Sequence, residues 1–319
     1  MIDREALLIK VINYDHPEEI PIGVGTLPSV WLKYPDEMSE FAKRFPDFFE
    51  YVDSDYDYNE YGQFYQSGSY ADHWGCVWTI MEEGVGGIVT EHPVKNREDI
   101  LKLEIPKTLD GDVPHGFMFL RITDLRGFEE AMADFGEECD ELQILIDKIL
   151  EYNCIQTKII SKNAGRFIYF GDDLGMQHGL PIGPAKWRKY LKPCYTKIFK
   201  IARDAGKYVY MHSDGMIYEI IPDLFEAGAH MVNPQFRANG IDNLVDVCKG
   251  RFPINLDLDR QMFPFAAPQQ CRNHVFDAVG AMYMPEGGLG LNIELGPDIP
   301  LENIEAILQA AHECRFYKG

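Results

Sequence analysis

From residue 117 onward, short apolar runs alternate with longer stretches whose apolar residues recur every three or four positions. Residues 117–122 read as a strand. Residues 128–135 and 138–152 have helical spacing, the second with Leu142, Leu145, Ile146, Ile149 and Leu150 on one stripe. Residues 166–170 read as a strand that runs into Gly171-Asp172-Asp173. Pro184 opens a helix that continues to Ala202 and closes at Gly206, and Pro193 inside it predicts a kink. Four further strand–helix units follow: 208–211 with 217–227, 229–233 with 241–248, 252–256 with 269–281, and 288–295 with 301–314. Near-continuous apolar strands, each followed by an amphipathic helix, predict a parallel sheet covered by helices. Neither GxGxxG nor GxxxxGK[ST] follows any strand, so the phosphate-binding turns of the open nucleotide folds are missing. The pattern predicts a closed barrel of β/α units in a single domain over 1–319.

The first hundred residues are less regular. They open with a helical pattern rather than a signal peptide. Residues 46–75 are crowded with Tyr, Asp and Gly, including Tyr51, Tyr56, Tyr58, Tyr61, Tyr65 and Tyr70. Such a segment is either a lid over a substrate or a solvated acidic insertion whose tyrosines pack on the barrel rim.

Composition narrows the function classes. A net charge of -21 disfavours nucleic acid or an anionic membrane as partner. No apolar run is long enough to span a bilayer. The seven cysteines are scattered and contain no CxxC pair, which argues against a structural zinc module or disulfide framework and points to a reducing cytoplasm.

Chemistry in a barrel of this type sits at the C-terminal ends of the strands. That rule selects Asp172 and Asp173, His212 and Asp214, Asn233 and Gln235, Asp257 and Asp259 with Arg260, and Asn292 and Glu294, with Arg121 as a further member. His212 and Asp214 are two apart on an extended segment and so point to the same side. Each carboxylate singly could be only a helix cap or turn former. Together they need a cation, an arginine or a proton to offset their repulsion. Two roles for His212 stay open: a metal ligand with Asp214 and either Glu294 or Asp257, or a general acid–base oriented by a carboxylate.

Six segments stand out: "REALLIKVINYDHPEEIP" at 4–21, "DHWGCVW" at 72–78, "LRGFEEAMADF" at 125–135, "GDDLGMQHGLPIGPAKWRKYLKP" at 171–193, "HSDGMIYEIIPDLFEAGAHMVNPQ" at 212–235 and "PEGGLGLNIELGPDIPLENIEAI" at 285–307. They resemble the uroporphyrinogen decarboxylase superfamily, specifically its methyltransferase-like branch. Their order over most of the chain carries the resemblance. It implies a (β/α)8 barrel and one of two chemistries. Decarboxylation of the porphyrin precursor uses an arginine-rich N-terminal segment, and "IPIGVGTLPSVWLKYPDE" stands here instead. Corrinoid-linked relatives move a methyl group between a small substrate and a separate cobalamin-binding protein. Those acting on coenzyme M hold zinc through His-x-Cys and a later Cys. This chain keeps the histidine as His212, has Asp214 in place of the first cysteine, and carries Asn292 and Glu294 where the second belongs.

A histidine with carboxylates is a harder donor set than thiolates and leaves zinc a stronger Lewis acid towards oxygen. The expectation is therefore a cytoplasmic methyltransferase that demethylates a small O-methyl compound and passes the methyl group to a corrinoid protein. His212, Asp214 and Asp173 are the expected catalytic groups, and His212, Asp214 and Glu294 would hold a metal or proton. Asp172, Asn233, Gln235, Asp257, Asn292 and Arg121 would line the substrate pocket. Two other readings are a decarboxylase or lyase acting on a small acid, and a non-catalytic barrel that only binds a ligand.

Overall fold

The computed structural model describes residues 3–49 and 61–319. Tyr51, Tyr56 and Tyr58 of the tyrosine-rich stretch lie outside the described residues. The chain divides into two compact units, one of 69–79 and 88–234, the other of 1–68, 80–87 and 235–319. Among the described residues there are six parallel strands, three in each unit, and one small antiparallel sheet.

The unit of 69–79 and 88–234 is built on the parallel strands Phe167–Gly171, Tyr208–Ser213 and Met231–Pro234. Their register sets Gly171 beside His212 and His212 beside Asn233. Each strand is followed by a helix, as expected for parallel pairing. The helix Asp140–Asn163 buries Leu142, Leu145, Ile146 and Ile149 of the predicted stripe and leaves Leu150 partly exposed. Pro193 perturbs its helix as predicted, but the kink is taken up as one wide π turn over Trp187–Leu191. Proline cannot donate to the carbonyl four residues back and its ring crowds that carbonyl, so the turn before it widens. The helix Ile221–Ala227 ends at Gly228, whose φ of +117° suits glycine.

One predicted element changes type. Residues 117–122 are not a strand: the helix Phe119–Arg126 begins there and buries Phe119, Ile122, Thr123 and Leu125. An apolar run this short fits either structure, and a contact distant in sequence decides it. Asp172 accepts hydrogen bonds from the first amides of this helix, as shown below. The antiparallel sheet, Gly68–Ala71, Val77–Ile80 and Ile88–Glu91, was not legible in the irregular N-terminal third.

The other unit pairs Ile22–Thr26 with Leu289–Leu295, and Leu289–Leu295 with Ile254–Asp257, all parallel. Ile22–Thr26 is a strand that sequence periodicity did not isolate, because two glycines interrupt its five residues. The helices Pro268–Met282 and Leu301–Cys314 carry buried faces at helical spacing, including Val275, Val279 and Met282, and Ile304, Ile307, Leu308 and Ala311. At about 25 cal/mol per Å² of apolar surface, these stripes supply most of the force that holds helix to sheet.

Candidate functional site

The site grows from two adjoining strand ends in the unit of 69–79 and 88–234. Strand Phe167–Gly171 runs into Asp172-Asp173-Leu174-Gly175, and strand Tyr208–Ser213 runs into Asp214-Gly215. Backbone bonds tie the two turns. Asp172 N–H donates to the His212 carbonyl at 3.1 Å, and Gly175 N–H donates to the Asp214 carbonyl at 3.2 Å. The Ser213 hydroxyl accepts from Leu174 N–H at 3.0 Å and donates to the Asp214 carbonyl at 2.9 Å. Such close approach needs both glycines. A Cβ on Gly175 would lie 2.5 Å from the Met216 nitrogen, and one on Gly215 would lie 2.1 Å from the Gly175 carbonyl carbon.

This packing brings Asp173 to His212 and Asp214. The His212 Nδ1 lies 2.6 Å from the Asn233 Oδ1, and an amide oxygen only accepts, so Nδ1 carries the hydrogen. Nε2 is thereby turned towards the acids, 3.3 Å from Asp214 Oδ1 and 4.0 Å from Asp173 Oδ1. Asp173 Oδ1 also accepts from Asp214 N–H at 3.2 Å. Burial pushes the His212 imidazole down, but the hydrogen bond and charge of Asp214, with Asn233 and Asp173, outweigh it and raise the group to about 9.

A residue the sequence reading did not select completes the group. His115 Nε2 is 3.1 Å from Asp173 Oδ1, and the ring centroids of His115 and His212 are 5.6 Å apart. Among the described residues, His115, Asp173 and His212 are the set whose ligand-type atoms all lie within 4.8 Å of one another. His115 is half exposed, unlike Asp173 and His212. Burial lowers its affinity for a proton and Asp173 more than restores it, so the group sits above its ordinary value. It precedes a helix instead of following a strand, which is why the strand-end rule passed over it. Its available signal was the Pro114-His115-Gly116 turn just before an apolar run.

Asp172 has a different task from the substrate contact expected of it. It is fully buried and accepts from the amides of Met118, Phe119 and Leu120 at 3.2, 2.5 and 2.9 Å, and from the Tyr195 hydroxyl. It caps the helix Phe119–Arg126 from outside that segment. Burial raises its carboxyl above the ordinary range, while the bonds from Leu120, Tyr195 and Phe119 pull against that rise. The same contacts anchor the segment carrying His115, together with Gly116 N–H donating to the Gly171 carbonyl at 2.8 Å. Gly171 leaves room for the imidazole: a Cβ there would be 2.4 Å from His115 Nδ1.

Arg121 is likewise engaged inside the protein. It lies on the helix rather than at a strand end, is buried, and donates to Asp72 at 2.6 Å. Asp72 also accepts from the amides of Trp74 and Cys76 and the Trp78 indole. Burial raises the carboxyl of neighbouring Asp124 to about 7, Arg121 opposes that rise and Asp72 adds to it.

The remaining expected residues belong to the other unit. Gln235 bridges to Asp257 in parallel register, and Asn292 donates to the buried Asp257 at 3.0 Å. Glu294, expected as third metal ligand, is ion-paired with Arg260. Tyr65 lies close enough to Glu294 that burial and that charge raise its phenol. Asp259 is held by Arg237 at 2.7 Å. Among the described residues no helix is long and apolar enough to cross a membrane.

The chain is similar to a methyltransferase from Methanosarcina mazei, at 16% identity and a TM-score of 0.64, over 98% of this chain and 99% of that one. A dihydropteroate synthase from Xanthomonas albilineans with 4-aminobenzoic acid matches at 15% identity and a TM-score of 0.33, over 50% of this chain and 57% of that one. No curated protein matches. The family model for uroporphyrinogen decarboxylase (URO-D) covers residues 122–314, more than half of the sequence, and includes the strand ends that carry Asp173, His212 and Asp214. The chain therefore belongs to the uroporphyrinogen decarboxylase family, a family of TIM-barrel type.

Proposed function

We propose that this protein is a methyltransferase that demethylates a small O-methyl compound and delivers the methyl group to the corrinoid of a separate protein. One observation carries the reading: His212 is fixed by Asn233 through Nδ1 so that Nε2 faces Asp214 and Asp173. The likeness in fold to the Methanosarcina mazei methyltransferase supports it. We take the six strands as part of a closed eight-stranded barrel acting as one domain. The seven cysteines are all free, which suits a reducing cytoplasm.

An ether oxygen is a poor leaving group until it is protonated or bound by a Lewis acid. In the proposed reaction the methyl carbon bonds to reduced cobalt, the carbon–oxygen bond breaks, and the electron pair stays on oxygen. His212 supplies a proton from Nε2 to that oxygen and recovers one from water. Asp214 keeps the imidazole charged until the transfer, and Asn233 keeps the ring from turning. Asp173 places a second negative charge at the same edge and so strengthens the preference for a cationic imidazole.

A donor set of imidazole nitrogen and carboxylate oxygen also fits a borderline divalent ion such as zinc. When bound, that ion would be held at His212 and Asp173 with Asp214 adjoining, would take the place of the Nε2 proton, and would polarise the same oxygen instead of the acid. Asn233 would line the pocket beside His212.

Decarboxylation of a small acid is favoured only by the family's name. A substrate carboxylate would meet Asp173 and Asp214 in a chain of net charge -21. The test is a screen of methoxylated aromatics and other small methyl donors with cob(I)alamin, followed by the absorbance change on cobalt methylation. His212→Ala should lower the rate about 100- to 10,000-fold, the range for loss of a general acid. Carbon dioxide release without any corrinoid would establish the decarboxylase instead. No turnover with any donor, and ligand binding untouched by His212→Ala, would leave a non-catalytic barrel.

A further inference from the structure

We propose that His115 is the third ligand of a zinc-class metal site, with Asp173 and His212 as the other two and the fourth position open to the substrate oxygen. This rests on the methyltransferase reading for its use but not for its existence. The three donor atoms come from three separate elements and meet within 4.8 Å. In a tetrahedral zinc site with bonds of about 2.0–2.1 Å, neighbouring ligand atoms lie about 3.3 Å apart. His115 Nε2 and Asp173 Oδ1 are already 3.1 Å apart, and His212 Nε2 and Asp173 Oδ1 are 4.0 Å apart. The longer edge can shorten by side-chain rotation, and His115 has the freedom of a half-exposed ring.

Both imidazoles are positioned from their outer sides, a feature of metal ligands. His212 Nδ1 bonds Asn233 and the His115 ring packs against Gly171 on a segment anchored by Asp172, while the Asp214 amide holds the ligand oxygen of Asp173, Oδ1, in place. Two imidazoles and one carboxylate select a borderline ion over magnesium or calcium, which prefer all-oxygen sites. Glu294 is not needed to complete the set, because Arg260 neutralises it.

The experiment is equilibrium dialysis of the full chain against buffered zinc after chelation, with metal counted by mass spectrometry. Cobalt(II) serves as a visible-absorption probe of coordination. The expected result is one ion per chain, four-coordinate cobalt bands, and no displacement by excess magnesium. His115→Ala and Asp173→Asn should weaken zinc by about a hundredfold or more, beyond the ~10–100-fold cost of losing an outer partner. Asn233→Ala should fall inside that smaller range, and Glu294→Gln should leave affinity unchanged. If His115→Ala does not fold, His115→Gln replaces it. Wild-type protein that holds no zinc overturns the proposal, as does tight binding retained by a folded His115 variant. Methyl transfer by the fully chelated protein would overturn the open fourth position as the substrate's binding place and leave the methyltransferase reading standing. Stoichiometric zinc without methyl transfer from any donor would do the reverse.

Discussion

Replacing Asp172 with alanine should destabilise the protein while removing no group from the reacting edge of the site. The carboxylate accepts from three backbone amides and the Tyr195 hydroxyl, and it is fully buried. An unsatisfied buried donor costs about 1–3 kcal/mol. Four of them left bare would cost up to about 12 kcal/mol, but rearrangement and water entry return much of that. Removal of one partner from a buried charged network costs about 3–5 kcal/mol, and that is the expected loss. Tyr195→Phe removes a single donor to a charged acceptor and should cost about 1.5–3 kcal/mol. The two effects should sum to more than the double variant loses, because they act through the same carboxylate. Urea unfolding gives the free energies, and hydrogen exchange reports the amides of Met118, Phe119 and Leu120, which should lose protection selectively. Should Asp172→Ala lie within about 1 kcal/mol of wild type, or those amides exchange as before, the capping role assigned to Asp172 is wrong.

Gly171→Ala should displace the His115 imidazole with little loss of stability, because the clash is with a side chain that can rotate; zinc affinity should fall about 10–100-fold, and an unchanged His115 resonance would contradict this. Gly215→Ala meets backbone at 2.1 Å and requires a φ of +80°, so it should cost at least about 2–3 kcal/mol in thermal unfolding. Asp124→Asn tests linkage. Asp124 is raised from 3.8 to about 7, so the folded protein holds a proton there that the unfolded chain gives up. That contribution is fully present below pH ~4 and is lost as pH rises to about 7. At about 1.4 kcal/mol per pH unit, the interval sets a ceiling of about 4 kcal/mol. The variant should therefore gain stability relative to wild type as pH rises from ~4 to about 7, and parallel pH–stability curves would refute the shift.

The strands and helices after residue 166 were legible in the sequence because burial on a parallel sheet imposes near-continuous apolar runs, and helix faces impose a period near 3.6. The same local rules placed His212, Asp214 and Asp173 at strand ends, where two-residue spacing and glycine turns leave few alternatives. Residues 117–122 show the limit of such rules. Their apolar run is too short to choose between strand and helix, and Asp172, some fifty positions later, settles the choice by capping the amides. His115 was invisible for a related reason: its role depends on Gly171 giving the ring space and on Asp173 meeting it, neither of which is local. Arg121 and Glu294 looked available for substrate or metal, yet Asp72 and Arg260 respectively engage them. Composition and periodicity thus determined the elements and which strand ends would carry charge. Only tertiary packing decided which of those charges neutralise one another and which converge, since pairing over a few ångströms depends on segments that share no sequence neighbourhood.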